Sequence, residues 1–257
     1  MRAMATYNSD SELIDILLDF GENMLGAGAE IARVEDSLGR MGTSCGAVRT
    51  SVFVINSSIE LTVRFADGET VTRTRRIRSA GATDFEKLRK LNALSRRCQL
   101  ERLSVTDLRL AVDEICQKEI PIINSYIGSF LAASAFSVFF GGTLLDAVIS
   151  GLCGLLICLL QIKVAPLSPN KVFFLFISSL LMGASVCLVN LVIPGLYIDK
   201  IIIGDIMLLV PGIAITTAVR DTLIGETIAG ITRLADCLVW AAALAAGIML
   251  VISIFAR

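Results

Sequence analysis

The chain has 257 residues, a net charge of −1 and no histidine. The near-neutral charge excludes a general nucleic-acid binder, and the lack of imidazole excludes a Ser-His-Asp triad within this chain. The mean hydropathy is +0.74 although 18% of the residues are charged, which indicates that apolar and charged residues are segregated along the chain.

The charged residues are concentrated near the N-terminus. Residues 1–120 hold 17 of the 23 basic and 18 of the 24 acidic side chains. We therefore expect an N-terminal α+β domain over residues 1–120 and a polytopic transmembrane domain over 121–257, which together make an α-helical membrane protein. The first residues lack the apolar core of a signal peptide, so the domain is expected in the cytoplasm and the chain in the inner cell membrane. The seven scattered cysteines predict neither a metal site nor a cofactor.

Periodicity and turn signals predict the elements of the N-terminal domain. They are helices at 10–26 and 29–42, strands at 48–56, at 59–66 and after Asp67-Gly68, and helices from Thr83 to about 100 and from Ser104 to about 118. The third strand carries an arginine-rich face: Arg73, Arg75, Arg76 and Arg78. This face either binds an anionic ligand or lipid headgroups, or forms a solvated strand edge, which we favour.

A charged group on the second predicted helix also has two interpretations. Glu30, Arg33 and Glu35 are either functional residues or a set of side chains that pair on the helix surface. Pairing at i,i+3 spacing explains them as well as a function does.

Apolar runs predict five membrane spans. They cover about 122–140, 143–162, 172–193, a fourth span that begins near Lys200, and 234–256. The first span contains small residues at every fourth position, which would let another helix approach closely: Ser125, Ser129, Ala133 and Ser137. Asp146 is either a buried carboxylate or a helix cap at the membrane interface. The basic residues of the loops place 163–171 and 220–233 on the cytoplasmic side and the C-terminus outside.

The fourth span is interrupted by Pro211-Gly212 in the middle of an apolar run. Such a break, with polar residues beyond it, is typical of a transport pathway, although a kinked helix followed by a polar loop explains it equally well. In the pathway interpretation Asp205 could exchange protons, and a helix that restarts after Gly212 would direct its backbone amides at an anion. Thr216 and Thr217 would then bind a hydroxyl group of a small zwitterion. Four charged residues follow, as a cytoplasmic gate or as an interfacial ion-pair cluster: Arg220, Asp221, Glu226 and Arg233.

These residues resemble the threonine/serine exporter family. The resemblance rests on Leu209-Val210-Pro211-Gly212 with Arg220-Asp221 and Arg233, and more weakly on Gly28-Ala29-Glu30, Arg33-Val34-Glu35 and Asn56. It implies a cytoplasmic domain joined to a membrane domain that exports small solutes, with protons as the counter-ion. The length and the five spans resemble the longer component of a split, two-chain exporter. The implied partners are a smaller polytopic membrane protein, a small-molecule substrate and the lipid bilayer, and a homo-oligomer is a further expectation.

One departure affects the expected substrate. This chain has Thr217 where members of the family often place asparagine, so a hydroxyl replaces an amide. Split systems of this kind also resemble exporters of dicarboxylates such as succinate, and the choice between a zwitterion and a dianion stays open. Two other hypotheses also stay open: a membrane-anchored enzyme, and a regulatory or scaffold subunit in which Asp205 and Thr217 face packed helices without a cavity.

Overall fold

The computed structural model describes residues 2–77, 83–101, 103–117 and 121–255, with side chains from residue 11 onward. The backbone forms two compact units. The first unit contains Met1–Glu119 and Thr216–Leu234, and the second contains Ile120–Ile215 and Ala235–Arg257. The sequence analysis does not anticipate the grouping of residues 216–234 with the N-terminal residues.

The described residues in the N-terminal part of the first unit form four helices and one antiparallel sheet of order β1-β2-β3. The elements are α1 Arg2–Gly26, α2 Ile31–Ser44, β1 Arg49–Ile55, β2 Ser58–Arg64, β3 Thr70–Arg76, α3 Phe85–Glu101 and α4 Val105–Gln117. The predicted meander is confirmed, and its register pairs Val52 with Leu61 and Leu61 with Arg73. Gly68 forms the predicted turn with a φ of 89°, a backbone conformation that glycine adopts without strain.

The core of this unit follows from the periods of its helices and strands. Apolar residues at helical spacing on α1 and at alternate positions on β2 are fully buried in one cluster, among them Leu17, Ile59 and Leu61. Ala229, from the segment grouped with this unit, is 2% exposed in the same cluster. The segment therefore contributes to the N-terminal core.

Two helix starts were predicted from capping signals, and one of them is corrected. Ser104 caps α4 as predicted, since its hydroxyl accepts the Asp107 backbone N–H at 3.2 Å. At α3 the cap is Asp84, whose carboxylate accepts the Lys87 N–H at 2.9 Å. The predicted cap at Thr83 is wrong by one residue, because two neighbouring side chains both satisfy the sequence signal.

The arginine-rich face lies on β3, the outer strand of the sheet, and two of its side chains pair with carboxylates of α1. Arg73 pairs with Asp15 at 2.6 Å and Arg75 with Asp19 at 2.7 Å, both across to α1. Arg76 is exposed, and Arg78 lies outside the described residues. The predicted strand edge is confirmed, but Arg73 and Arg75 are only partly exposed, because they pair with residues that lie far away in the sequence.

Four of the described helices are long and apolar enough to cross a membrane. They are Ile122–Phe139, Leu144–Leu167, Lys171–Val192 and Thr227–Phe255. The full set of elements in this part of the chain is α5 Ile122–Phe139, α6 Leu144–Lys163, the 3-10 turn Ala165–Leu167, α7 Lys171–Val192, α8 Ile198–Ile206, α9 Gly212–Leu223 and α10 Thr227–Phe255. The predicted fourth span is thus two short helices. The predicted polar loop at 220–233 is helical except for a turn at Gly225, whose φ is 102°.

Small residues let α5, α6 and α8 approach one another closely in the second unit. An added Cβ at Gly154 would lie 2.7 Å from the Ser129 carbonyl oxygen, and one at Gly204 would lie 2.8 Å from the Ser137 backbone nitrogen. Ser134 donates a hydrogen bond from α5 to the Ala147 carbonyl of α6 at 2.8 Å. The predicted close packing is therefore confirmed along this part of α5, whereas Ser125 is exposed.

Gly204→Ala is expected to destabilise the protein by about 1–3 kcal/mol, because the atoms that would meet the new methyl group are backbone and cannot turn aside. The measurement is the thermal unfolding midpoint of the full chain in detergent. The matched control is Gly128→Ala on α5, where an added Cβ has no atom within 4 Å. Equal midpoints for the two variants would contradict the close contact between α5 and α8.

Candidate functional site

Asp205 lies near the end of α8 and is fully buried in the second unit. Its Oδ1 accepts a hydrogen bond from the Ser150 hydroxyl of α6 at 2.7 Å. Its Oδ2 accepts no hydrogen bond from the described residues, and the Cys153 thiol lies beside the carboxylate. None of the ion pairs among the described residues includes Asp205. The site is therefore a buried carboxylate without a cationic partner.

A second buried carboxylate, Asp146, has a structural role. Its Oδ2 accepts hydrogen bonds from the Thr143 backbone and hydroxyl at 2.8 and 2.7 Å, which closes a capping box at the start of α6. Its Oδ1 accepts the Tyr197 backbone N–H at 3.1 Å. Asp146 is therefore both a buried carboxylate and a helix cap, and its place at the membrane interface stays a prediction. Unlike Asp205, Asp146 has partners for both oxygens.

The chain breaks between α8 and α9 as the Pro211-Gly212 signal predicts. Leu209 N–H donates to the Ile206 carbonyl at 2.8 Å and Gly212 N–H donates to the Val210 carbonyl at 2.8 Å, which closes tight turns in place of helical ones. Pro211 has no backbone N–H to donate, and α9 begins directly after it. The alternative of a kinked continuous helix is therefore wrong. The amino end of a new helix follows at Gly212.

The predicted pathway residues are divided between the two units. Asp205, Pro211 and Gly212 belong to the second unit, whereas Thr216 and Thr217 belong to the first. Thr216 is exposed and Thr217 is half-buried on α9. A cavity of about 570 Å³ in the second unit is lined by Asp199 and by mainly apolar side chains of residues 196–203 and of α10, and neither Asp205 nor Pro211 lines it. Asp205 thus lies among packed helices in this conformation.

The predicted gate residues take part in a connected cluster within the first unit. We call Glu30, Asn56, Arg220, Asp221 and Arg233 the motif cluster. Arg220 pairs with Glu30 at 2.8 Å, and Arg233 pairs with Asp221 at 3.4 Å. Arg233 also donates to the Asn56 side-chain oxygen at 3.0 Å. These contacts bring residues near the start of α2 and after β1 together with residues of α9 and α10.

Two further contacts hold the motif cluster against the N-terminal core. The Asn56 amide donates to the Ala229 carbonyl at 2.8 Å, directly beside the buried Ala229 side chain. Asp221 is fully buried, and its carboxylate lies near the Ile31 backbone N–H at the start of α2. The positive end of the α2 dipole and Arg233 therefore both favour its negative charge.

Glu226 is outside the ion pairs of the motif cluster, although it was predicted as a gate residue. Its backbone N–H donates to the Asp221 carbonyl at 2.9 Å, and its own carbonyl accepts the Gly230 N–H at 2.9 Å, so it links α9 to α10 through the main chain. Its half-buried carboxylate acts on Glu35 through repulsion between like charges.

Glu30 and Glu35 do more than pair on the surface of α2. Arg33 is 3.9 Å from Glu30, farther than Arg220. Glu35 accepts the Val54 backbone N–H from β1 at 2.8 Å. The explanation by local pairing is therefore insufficient. Sequence reasoning also missed Asn56 and Ser150 as site residues, and the available signal for Asn56 was its place in the family resemblance.

Glu35→Gln is expected to flatten the pH dependence of stability. Burial raises the pKa of the Glu35 carboxyl above its usual 4.5; the Val54 hydrogen bond lowers it and Glu226 raises it further. The folded state thus binds this proton more tightly than the unfolded state. Its contribution to stability is complete below about pH 4.5 and is lost as the pH rises through the raised pKa. Glutamine keeps an oxygen for Val54 and cannot titrate.

The measurement for Glu35→Gln is chemical unfolding of the full chain from pH 4 to pH 8 in detergent. We expect the variant to lose less stability than the wild type as the pH rises. Asp36→Asn is the control, because Asp36 is 59% exposed and pairs with Arg40 on the surface. An unchanged pH slope in Glu35→Gln would contradict the proposed burial effect.

A comparison with protein families identifies one match. The family model "ThrE: Putative threonine/serine exporter" matches residues 15–255, nearly the whole chain. No curated protein matches the chain. No solved structure matches it either.

Proposed function

The chain belongs to the threonine/serine exporter family, and from that premise we propose that it is one component of a secondary-active exporter of threonine and serine. The proposed exporter couples efflux of the amino acid to entry of protons across the inner cell membrane. Its N-terminal unit lies in the cytoplasm, and a smaller polytopic membrane protein completes the transport pathway. A dicarboxylate such as succinate is the alternative substrate.

The observation that carries this proposal is the environment of Asp205. A buried ionised carboxylate in a membrane protein costs several kcal/mol unless it is paired or wetted, and Asp205 has neither a cation nor a full set of hydrogen-bond donors among the described residues. A stability role accounts for Asp146, whose two oxygens are satisfied, and does not account for Asp205. Reversible protonation would let Asp205 be neutral when dry and charged when water reaches it.

The break at Pro211 supports a substrate site next to this carboxylate in the sequence. The amino end of α9 carries the positive end of the helix dipole, which favours an anionic group such as an amino-acid carboxylate. In the proposal, Thr216 and Thr217 supply hydroxyl groups that recognise the side chain of threonine or serine. A second carboxylate on the substrate would instead require a cation near this helix end.

The motif cluster supports a gate on the cytoplasmic side. Within the first unit, the Arg220–Glu30 pair joins α9 to the start of α2 at 2.8 Å, and Arg220 is 59% exposed. An exposed ion pair contributes only about 0–1 kcal/mol, so it can break and re-form during transport. The buried Arg233–Asp221 pair is a stronger connection, which we propose as the fixed point about which α9 moves.

Efflux from cells that lack this chain tests the proposed function. The cells are preloaded with labelled threonine, serine or succinate and receive this chain alone, the candidate small partner alone, or both. We expect efflux of threonine and serine only when both chains are present. Efflux of succinate but of neither amino acid would show that the substrate is a dicarboxylate. Efflux with this chain alone would show that transport does not require the partner.

One observation favours a second candidate function. Asp205 lies among packed helices and lines neither of the two cavities described in the chain, as a regulatory or scaffold subunit predicts. Such a subunit would leave transport to its partner. If the partner alone restores full efflux, this second function is correct.

A further inference from the structure

The hydroxyl group of Ser150 has two acceptors and one proton. Ser150 is fully buried on α6. Its Oγ lies 2.7 Å from Asp205 Oδ1 on α8 and 3.0 Å from the Ala133 carbonyl oxygen on α5. A serine hydroxyl can donate to only one of these acceptors at a time. The direction of its O–H bond must therefore depend on what Asp205 offers.

The two protonation states of Asp205 require opposite directions. An ionised carboxylate only accepts hydrogen bonds, so Ser150 donates to it through a charge-assisted hydrogen bond and no longer donates to the Ala133 carbonyl. A protonated carboxyl can donate to the Ser150 oxygen, and the serine proton then goes to the Ala133 carbonyl. We propose that Ser150 is a positioning residue that converts protonation of Asp205 into a hydrogen bond between α6 and α5. This inference rests on the proposed proton coupling.

The packing around Asp205 makes this change of hydrogen bond specific to the Ser150 hydroxyl. Gly204 brings the α8 backbone against Ala133 and Ser137 of α5, so the helices meet where Ser150 lies. Among the described residues, Cys153 of α6 is the titratable side chain that acts on Asp205. The sequence of α5 contains no charged residue, and the only charged residue of α7 is Lys171 at its first position. The Cys153 thiol is a much weaker donor than a hydroxyl.

Ser150→Ala is expected to move the pH profile of transport. When Asp205 is ionised, loss of the hydroxyl removes a charge-assisted hydrogen bond. When Asp205 is protonated, the same change removes only a hydrogen bond between neutral groups. The ionised form loses more, so the half-maximal rate should move to higher pH by about one unit. The assay follows labelled threonine in proteoliposomes that contain this chain with its partner, from pH 5 to pH 9.

Ser134→Ala is the matched control. Ser134 also joins α5 to α6 through one hydroxyl, which donates to the Ala147 carbonyl at 2.8 Å, and it forms no hydrogen bond with Asp205. We expect this variant to keep the wild-type pH profile. In an Asp205→Asn background, Ser150→Ala should cause no further change in pH dependence.

A spectroscopic measurement keeps the inference testable if Ser150→Ala transports poorly. Infrared difference spectra of the purified chain in lipid, recorded across the same pH range, should contain a carboxyl band that Asp205→Asn removes. In Ser150→Ala that band should move in frequency and titrate at higher pH, whereas Ser134→Ala should leave it unchanged.

The outcomes separate this inference from the proposed function. A wild-type exporter without pH dependence would overturn the proton coupling, and the role of Ser150 with it. A pH-dependent wild type in which Ser150→Ala and Ser134→Ala have equal profiles and equal carboxyl bands would overturn the role of Ser150 alone.

Discussion

Asp205→Asn is expected to abolish the pH dependence of export while the protein stays in the membrane at its normal level. Asparagine has nearly the same shape as aspartate and fits a site that is fully buried. Its amide can donate to Ser150, as a protonated carboxyl would, so the packing of α6 against α8 is kept. The variant cannot release a proton, and export driven by a pH gradient should fall to the level of cells that lack the chain.

Asp199→Asn is the control for this prediction because it makes the same substitution on the same helix. The Asp199 side chain is 62% exposed and pairs with Lys200 at 3.0 Å. An exposed pair contributes little, so export and its pH dependence should be unchanged. The measurement is efflux of labelled threonine at several external pH values, with membrane levels checked by immunoblotting. A normal pH profile in Asp205→Asn would remove that carboxylate from the coupling mechanism.

Arg233→Ala is expected to destabilise the first unit by about 3 kcal/mol, the largest stability effect that we predict. The Arg233 side chain is 16% exposed and its partner Asp221 is 0% exposed. Removal of the arginine leaves a buried carboxylate without its cation, which is much more costly than loss of a surface pair. It also leaves the Asn56 oxygen without its donor. Local unfolding should therefore release residues 216–234 from the N-terminal core.

Hydrogen exchange of the full chain in detergent measures this effect, through the protection of the amides of α9 and β1. Arg33→Ala is the control, since the Arg33 side chain is 44% exposed and 3.9 Å from Glu30, and should cost less than about 1 kcal/mol. Asp221→Asn in the Arg233→Ala background should recover about 1–3 kcal/mol, because the unpaired charge is gone. Equal protection in Arg233→Ala and Arg33→Ala would contradict a buried ion pair.

The parts of the fold that the sequence predicts are those that depend on neighbouring residues. Pro211-Gly212 separates two helices because proline lacks a donor, and the bounds of α5, α6 and α7 follow from their composition. The last span was predicted to begin at 234, whereas α10 begins at Thr227. Asp205 was predicted as a candidate because a carboxylate in an apolar run is costly wherever the run folds.

The missed features all depend on contacts between distant residues. Ser150 is 55 positions from Asp205, and Asn56 is 177 positions from Arg233. Helical and strand periods show which face of an element is apolar, but they do not show which polar residue of another element meets it. For the same reason Arg73 and Arg75 were predicted as an exposed edge, although α1 supplies their carboxylates.

Proton movement in proteoliposomes that contain this chain with its partner is the most direct test of the central claim. The vesicles carry a pH-sensitive dye inside, and a threonine gradient is imposed across the membrane. The account predicts that threonine flux drives protons in the opposite direction with wild-type chain and with Asp199→Asn, and drives none with Asp205→Asn. Threonine flux without proton movement in the wild type, or equal proton movement in Asp205→Asn, would contradict it.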